Sequence, residues 1–179
     1  TLHSVVDLNQ EAAKNLAQQY SAEVLSMEEA FSNTDIDAYI IASSTATHAD
    51  LIERCAQIGK PVFCEKPIDL SLERAESCAK SVEESGIVCM LGFNRRFDPH
   101  MASLKSKVDS NLIGHVQSLV ITSHDPAPPP MEYIQSSGGL FHDMMIHDFD
   151  MACWILNASP KSIYVSASTN NEDIKNEGV

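Results

Sequence analysis

Three side chains in this sequence have the chemistry to move a proton together: Lys66, Asp143 and His147. Lys66 stands in "CEKP", at the end of an apolar run and directly before Pro67. A lysine there is held rigidly over a strand end. It can hydrogen-bond a substrate hydroxyl and relay its proton, and burial of an ammonium lowers its pKa towards a useful range. Lys66–Pro67 is also a candidate cis peptide bond, since such bonds are nearly confined to X-Pro steps. The plainer alternative is a solvated loop lysine, the usual fate of any single Lys.

Asp143 and His147 lie in "GGLFHDMMIHDFDMACWIL", residues 138–156. The segment predicts one helix over 140–156, in which Asp143, His147, Asp150 and Trp154 follow i, i+4, i+7 and i+11 and share a face. The remaining residues are so apolar that the helix must be largely buried, where unpaired charges are costly. Three explanations compete. His142, Asp143, His147 and Asp148 could ligate a metal, but the two histidines point in different directions, no cysteine joins them, and no metal is expected. Asp143 and His147 could be a satisfied polar row, paired with each other or with backbone groups. In the catalytic explanation Asp143 orients a hydroxyl or accepts from it, while His147 removes its proton. With Lys66 able to converge on them, catalysis leads.

The elements that must position these groups begin with an alternation of strand and helix. "SVVD" (4–7) is followed by a helix over 10–20, "AEVL" (22–25), and a short helix opened by a Ser26–Glu29 capping box. Then come "DAYIIAS" (37–43), a helix from Thr47 to Gly59, "PVFCEKP" (61–67), a helix from Asp69 or Ser71 to Gly86, and "IVCML" (87–91). This spacing predicts βαβ units and the α/β class, with a doubly wound parallel sheet. Ligands of such sheets bind beyond the carboxyl ends of the strands. The residues there are Asp7, then Ser43, Ser44 and Thr45, then Glu65 and Lys66, then Asn94 and Arg95.

After residue 93 the rhythm changes to a helix near 98–109, a strand "HVQSLVIT" (115–122), and a long Pro-rich loop of the kind that carries function. The 140–156 helix and a strand "SIYVSAS" (162–168) follow. The expected division is 1–93 and 94–179, the latter the start of an α+β domain. The chain begins at Thr1 almost directly on a strand and stops shortly after another, so a piece of a longer protein is expected.

Asp7 ends the first visible strand. In a dinucleotide-binding fold an acidic residue there accepts from the adenosine ribose hydroxyls, about 20 residues after a glycine-rich turn. That turn would lie before Thr1. The alternative is a strand-end Asp that starts a turn. On the ribose reading its charge favours NAD and disfavours NADP, whose 2′-phosphate it repels.

Twelve basic against twenty-five acidic residues give a net charge of −13, which argues against nucleic acid or an anionic membrane as the main partner. No apolar run approaches the roughly 18–20 residues that span a bilayer. The five cysteines include no C-x-x-C and several lie in apolar runs, so buried, reduced thiols in a cytoplasmic protein are expected.

"ASSTATHADLIERCAQIGKPVFCEKPIDLSLERAE", "GFNRRFDP" and "GGLFHDMMIHDFDMACWIL", in this order, resemble the Gfo/Idh/MocA oxidoreductases, which include inositol 2-dehydrogenases. The resemblance implies a Rossmann NAD(P)-binding domain, an α/β second domain with an open sheet, and a homo-oligomeric whole protein acting on a cyclic polyol or sugar. It implies Lys66 as catalytic lysine, with Asp143 and with His147 as general base. Ser43, Ser44, Thr45 and His48 would line the cofactor, Asp7 would match the ribose-binding acid, and Glu65 and Lys66 would lie near the nicotinamide ribose. Asn94 and Arg95 would be near nicotinamide and substrate, and His124 resembles a substrate-contacting position. The competing class is a non-catalytic cofactor-binding sensor or co-repressor of the same fold, which has no need of Lys66, Asp143 and His147 together.

Overall fold

The structure, a computed structural model, describes residues 1–127 and 129–168. Two compact units emerge: Thr1–Cys64 with Ser71–Met90, and Glu65–Leu70 with the chain from Leu91 onward. The segment carrying Lys66 thus groups with the residues that follow Leu91, not with the strand that precedes it.

In the first unit, β1 (Ser4–Val5), α1 (Gln10–Tyr20), β2 (Glu23–Val24) and α2 (Met27–Ser32) are followed by β3 (Tyr39–Ile41), α3 (His48–Gln57), β4 (Val62–Cys64), α4 (Leu72–Ser85) and β5 (Cys89–Leu91). The strands form two open groups, β1-β2 and β3-β4-β5. Both registered pairs are parallel, with Ser4 opposite Glu23 and Ile40 opposite Phe63. The βαβ alternation read from the sequence is therefore present as a Rossmann-type α/β fold.

Local chemistry sets the helix ends. Asn9 accepts from the N–H groups of Glu11 and Ala12, Ser26 and Glu29 close their capping box, and Ser71 accepts from the Arg74 N–H. Gly86, at φ 69°, supplies the left-handed residue that ends α4. Along α3, His48, Ala49, Ile52 and Cys55 are buried on one face. They belong to a core that includes Val62, Cys64 and Cys78. Arg74 of α4 holds Asp50 and Glu53 of α3 at 2.6 Å each.

In the second unit a 3₁₀ turn (Asn94–Phe97) leads into α5 (Pro99–Asp109), then α6 (Met131–Ser137), α7 (Gly139–Asp143) and α8 (Met145–Leu156). Asp98 caps α5 and Pro99 occupies its first turn. α5 packs on α8 through Lys105, which is buried and donates to Asp109 at 2.6 Å and to Asn157 at 2.7 Å.

Four expectations are corrected. The single 140–156 helix is two helices, broken at Met144, where the His147 N–H turns back to the Met144 carbonyl at 3.2 Å. The segments 115–122 and 162–168 form no ladder among the described residues. A strand exists only against a partner, and Val120 and Tyr164 are 82% and 93% exposed. The Pro-rich stretch, read as loop, delivers α6. Cys153 is exposed, whereas Cys55, Cys64 and Cys78 are buried and Cys89 half-buried, and none of the five is in a disulfide. Burial pushes the Cys55 thiol up to about 12 and that of Cys78 up to about 11, so neither is a ready nucleophile.

Candidate active site

The helix break at Met144 has a chemical consequence. In a continuous helix the Asp143 carbonyl would accept from the His147 N–H. That N–H goes to Met144 instead, and the Lys66 ammonium takes the Asp143 carbonyl oxygen at 2.6 Å. The same ammonium lies 2.9 Å from Asp143 Oδ1. One lysine therefore caps the end of α7 and pairs with its last side chain. The side chains of Lys66 and Asp143 are only 14% and 25% exposed, which strengthens the pair over a surface contact. Lys66 lies two residues past the end of β4, and the Lys66–Pro67 bond is cis.

Two consecutive left-handed glycines, Gly138 at φ 80° and Gly139 at φ 77°, turn the chain from α6 into α7. At Gly138 an added Cβ would lie 2.6 Å from the Leu70 Cδ2, so that side chain would have to shift to admit even a methyl group. This turn sets Tyr133 of α6 beside α7, and its hydroxyl donates to Asp143 Oδ1 at 2.9 Å. Sequence reasoning missed Tyr133. Its only signal was a tyrosine ten residues before Asp143, which specifies no partner.

His147 is half-buried, with the Phe93 ring edge-on to it at 6.3 Å between centroids. Its Nδ1 is buried and makes no hydrogen bond among the described residues. Burial holds the imidazole below the usual histidine value of 6.5, and the cations of Lys66 and Arg95 push the same way against Asp143 and Asp148. The ring is therefore neutral near pH 7, the form that accepts a proton. An ordered Lys–Asp pair beside a neutral imidazole is an arrangement able to orient a hydroxyl and remove its proton.

The polar row read from the sequence thus divides. Asp143 and His147 gather with Lys66. Asp150 is held by Arg96, through a bond from Nε to Oδ2 at 2.8 Å and a second to Oδ1. Trp154 lies against the Lys105 ammonium, 5.9 Å from its ring centroid. Arg95 pairs with Asp148, and Ser123 also donates to Asp148 Oδ1 at 2.8 Å. Neither Asp148 nor Ser123 was assigned to this network from sequence, because an ion-pair partner is fixed only by tertiary packing.

Other expected site residues take varied positions. In the second unit, Glu65 is exposed and lies against Gly92, where an added Cβ would come within 2.7 Å of its Oε2. Asn94 and His124 are exposed. In the first unit, Asp7 stands exposed just past β1, its Oδ1 accepting from the Asn9 N–H at 2.7 Å. Ser43 and Ser44 are exposed beyond β3, Thr45 is half-buried, and the Ser43 and Thr47 hydroxyls meet at 2.6 Å. His48 differs. Its ring is 1% exposed and its Nε2 meets the Ser43 carbonyl at 3.0 Å, so it supports this loop from beneath. An exposed carboxylate past one strand and exposed hydroxyls past another suit the ribose and phosphate oxygens of a dinucleotide.

Residues 1–93 match the oxidoreductase family with the NAD-binding Rossmann fold, and residues 101–179 match the GFO/IDH/MocA C-terminal domain. The chain belongs to the Gfo/Idh/MocA oxidoreductase family. An inositol 2-dehydrogenase of Rhizobium meliloti (strain 1021) is 47% identical over 167 residues, which are 93% of this chain and 51% of that protein. A scyllo-inositol 2-dehydrogenase (NAD(+)) of Bacillus subtilis (strain 168) is 39% identical over 153 residues, 84% of this chain and 45% of that one. The crystal structure of a myo-inositol dehydrogenase from Corynebacterium glutamicum aligns with a TM-score of 0.82 at 45% identity, covering 86% of this chain and 46% of its own. The chain spans about half the length of the curated relatives it matches. Among the described residues no helix is long and apolar enough to cross a membrane.

Proposed function

We propose that the whole protein is an NAD-dependent oxidoreductase that moves a hydride between nicotinamide and a hydroxyl-bearing carbon of a cyclic polyol or sugar, in the manner of the inositol 2-dehydrogenases it resembles. One observation carries the reading: Lys66, from just past a strand end, is bound to Asp143 at the end of α7, and His147, whose pKa is held below the usual value, follows in the first turn of α8. His147 takes the substrate hydroxyl proton. The Lys66 ammonium, steadied by Asp143, stabilises negative charge developing on that oxygen, and Asp143 orients the hydroxyl. Arg95 and His124 are the further substrate contacts in this proposal.

When bound, the nicotinamide supplies hydride acceptance, a chemistry no side chain offers. The residues that would hold the dinucleotide are Asp7, Ser43, Ser44, Thr45, Glu65, Lys66, Asn94 and Arg95, with His48 shaping the Ser43 loop. The exposed Asp7 carboxylate favours NAD over NADP by repelling a 2′-phosphate. Free cysteines support a cytoplasmic setting. The homo-oligomeric state expected of the family belongs to the same proposal.

The test is a panel of polyols and sugars offered to the full-length protein with NAD or NADP, followed by absorbance of the reduced nicotinamide. A Lys66→Ala form should lose at least about 100-fold in turnover, the usual scale for a positioned proton-transfer group. Normal turnover in that variant sinks the assignment. Silence of the unmodified protein on every compound favours the sensor alternative.

A further inference from the structure

We infer that Tyr133 is a positioning residue of this site, acting through Asp143. The inference rests on the reading of Lys66, Asp143 and His147 given above. Asp143 Oδ1 receives two donors, the Lys66 ammonium at 2.9 Å and the Tyr133 hydroxyl at 2.9 Å. A carboxylate offers two oxygens with about two acceptor sites each. Among the described residues both donors fall on Oδ1, which fills that oxygen and leaves Oδ2 for a substrate hydroxyl. The two donors also come from different elements, one following β4 and one in α6. Together they fix the rotation of the carboxylate plane, which Lys66 alone, a flexible point charge, does not.

Tyr133 acts as a donor here, not as a base. Tyr133 is 47% exposed, yet partial desolvation and then the hydrogen bond to Asp143 hold its phenol above the ordinary value of 10, so it stays protonated at any pH of physiological interest. Its place in the chain adds a second role. α6 begins directly after the Pro-rich stretch, and the Gly138–Gly139 turn joins it to α7. The Tyr133 bond therefore ties α6 to the carboxylate at the end of α7.

The experiment uses the full-length protein with NAD and the polyol it turns over best. Tyr133→Phe removes one oxygen and keeps the ring. It should lower kcat about tenfold, the scale of one hydrogen bond to a charged group, with the polyol KM within about twofold. Combining it with Asp143→Ala should add nothing further, because a residue that acts through Asp143 has no effect once its acceptor oxygen is gone. The phenol is read separately by ultraviolet titration, as the difference between the unmodified protein and Tyr133→Phe. In Asp143→Asn the Tyr133 midpoint should fall.

A kcat unchanged in Tyr133→Phe, an equal loss in both backgrounds, or a phenol midpoint indifferent to Asp143→Asn overturns the role of Tyr133. If Lys66→Ala abolishes turnover while Tyr133→Phe does not alter it, Tyr133 alone is excluded and the site stands. If Lys66→Ala leaves turnover intact, the site falls and the role of Tyr133 falls with it.

Discussion

Lys66 and Asp143, 77 residues apart in the chain, are joined twice: by an ion pair at 2.9 Å and by a bond to the Asp143 main-chain oxygen at 2.6 Å. The helix break at Met144 makes the second bond possible, because it releases a carbonyl that a continuous helix would have used. The lysine thus has a structural load apart from chemistry. Replacing it by Met keeps the stem and removes the charge, leaving a partly buried carboxylate and a helix-end carbonyl short of a donor. The second unit should lose about 2 kcal/mol, read as a lower urea midpoint for that unit. An unchanged midpoint would mean that water replaces the ammonium at no cost.

Arg95 and Asp148 support a parallel expectation. The Asp148 side chain is 13% exposed, and it accepts from both Arg95 and Ser123. Arg95→Met leaves it with the serine alone and should cost about 1–2 kcal/mol. The companion Asp148→Asn retains an oxygen for both donors and should cost less. If the two variants unfold at the same denaturant concentration, the charge pairing has no special value and only the oxygen matters.

Much of this was legible beforehand, and the reason differs by residue. The first unit could be read because its signals are local: Asn9, Ser26 and Ser71 cap the helices they precede, and short apolar runs between helices mark β3, β4 and β5. Lys66, Asp143 and His147 were legible because each is an ionisable group in an apolar setting that demands a partner. The partners of Asp148 and Asp150 were hidden, since two adjacent arginines give no hint of which carboxylate each will meet. The break at Met144 was hidden too, because no glycine or proline between Leu140 and His147 marks it. Residues 115–122 have the composition of a strand, but a ladder needs a second chain segment at the right register, which composition does not show.

Gly138 and Gly114 offer a controlled comparison of two glycines with positive φ. Both lie in the left-handed region, at 80° and 72°. Alanine at Gly114 would meet nothing within 4 Å, whereas at Gly138 it would meet the Leu70 Cδ2 at 2.6 Å and His142 Cβ at 3.1 Å. Gly114→Ala should therefore cost only the backbone penalty, roughly 1–2 kcal/mol. Gly138→Ala should cost that and about 1 kcal/mol more for overpacking. Trimming Leu70 to Ala in the same chain should recover part of the excess at Gly138 and none at Gly114. Equal losses at the two glycines would show that the α6–α7 turn has room that the packing does not suggest.

His147 gives the last expectation, and its sign follows from the direction of its shift. Its folded pKa lies below 6.5, first through burial and then through Lys66 and Arg95. Between the folded and unfolded values the unfolded chain binds more protons, so stability rises with pH there. The full contribution is present above the unfolded value near 6.5, and it is lost as pH falls through the folded one. His147→Gln should flatten that part of the stability profile. In proton NMR of the full-length protein, the resonance missing from His147→Gln should titrate below 6.5. It should move upward in Lys66→Met and, less strongly, in Arg95→Met, because each substitution removes a cation that disfavours the imidazolium. On the proposed mechanism the acid limb of kcat/KM should follow the same midpoint, since only the neutral ring accepts the hydroxyl proton. A limb that stays in place when the NMR midpoint moves would assign the base to another group.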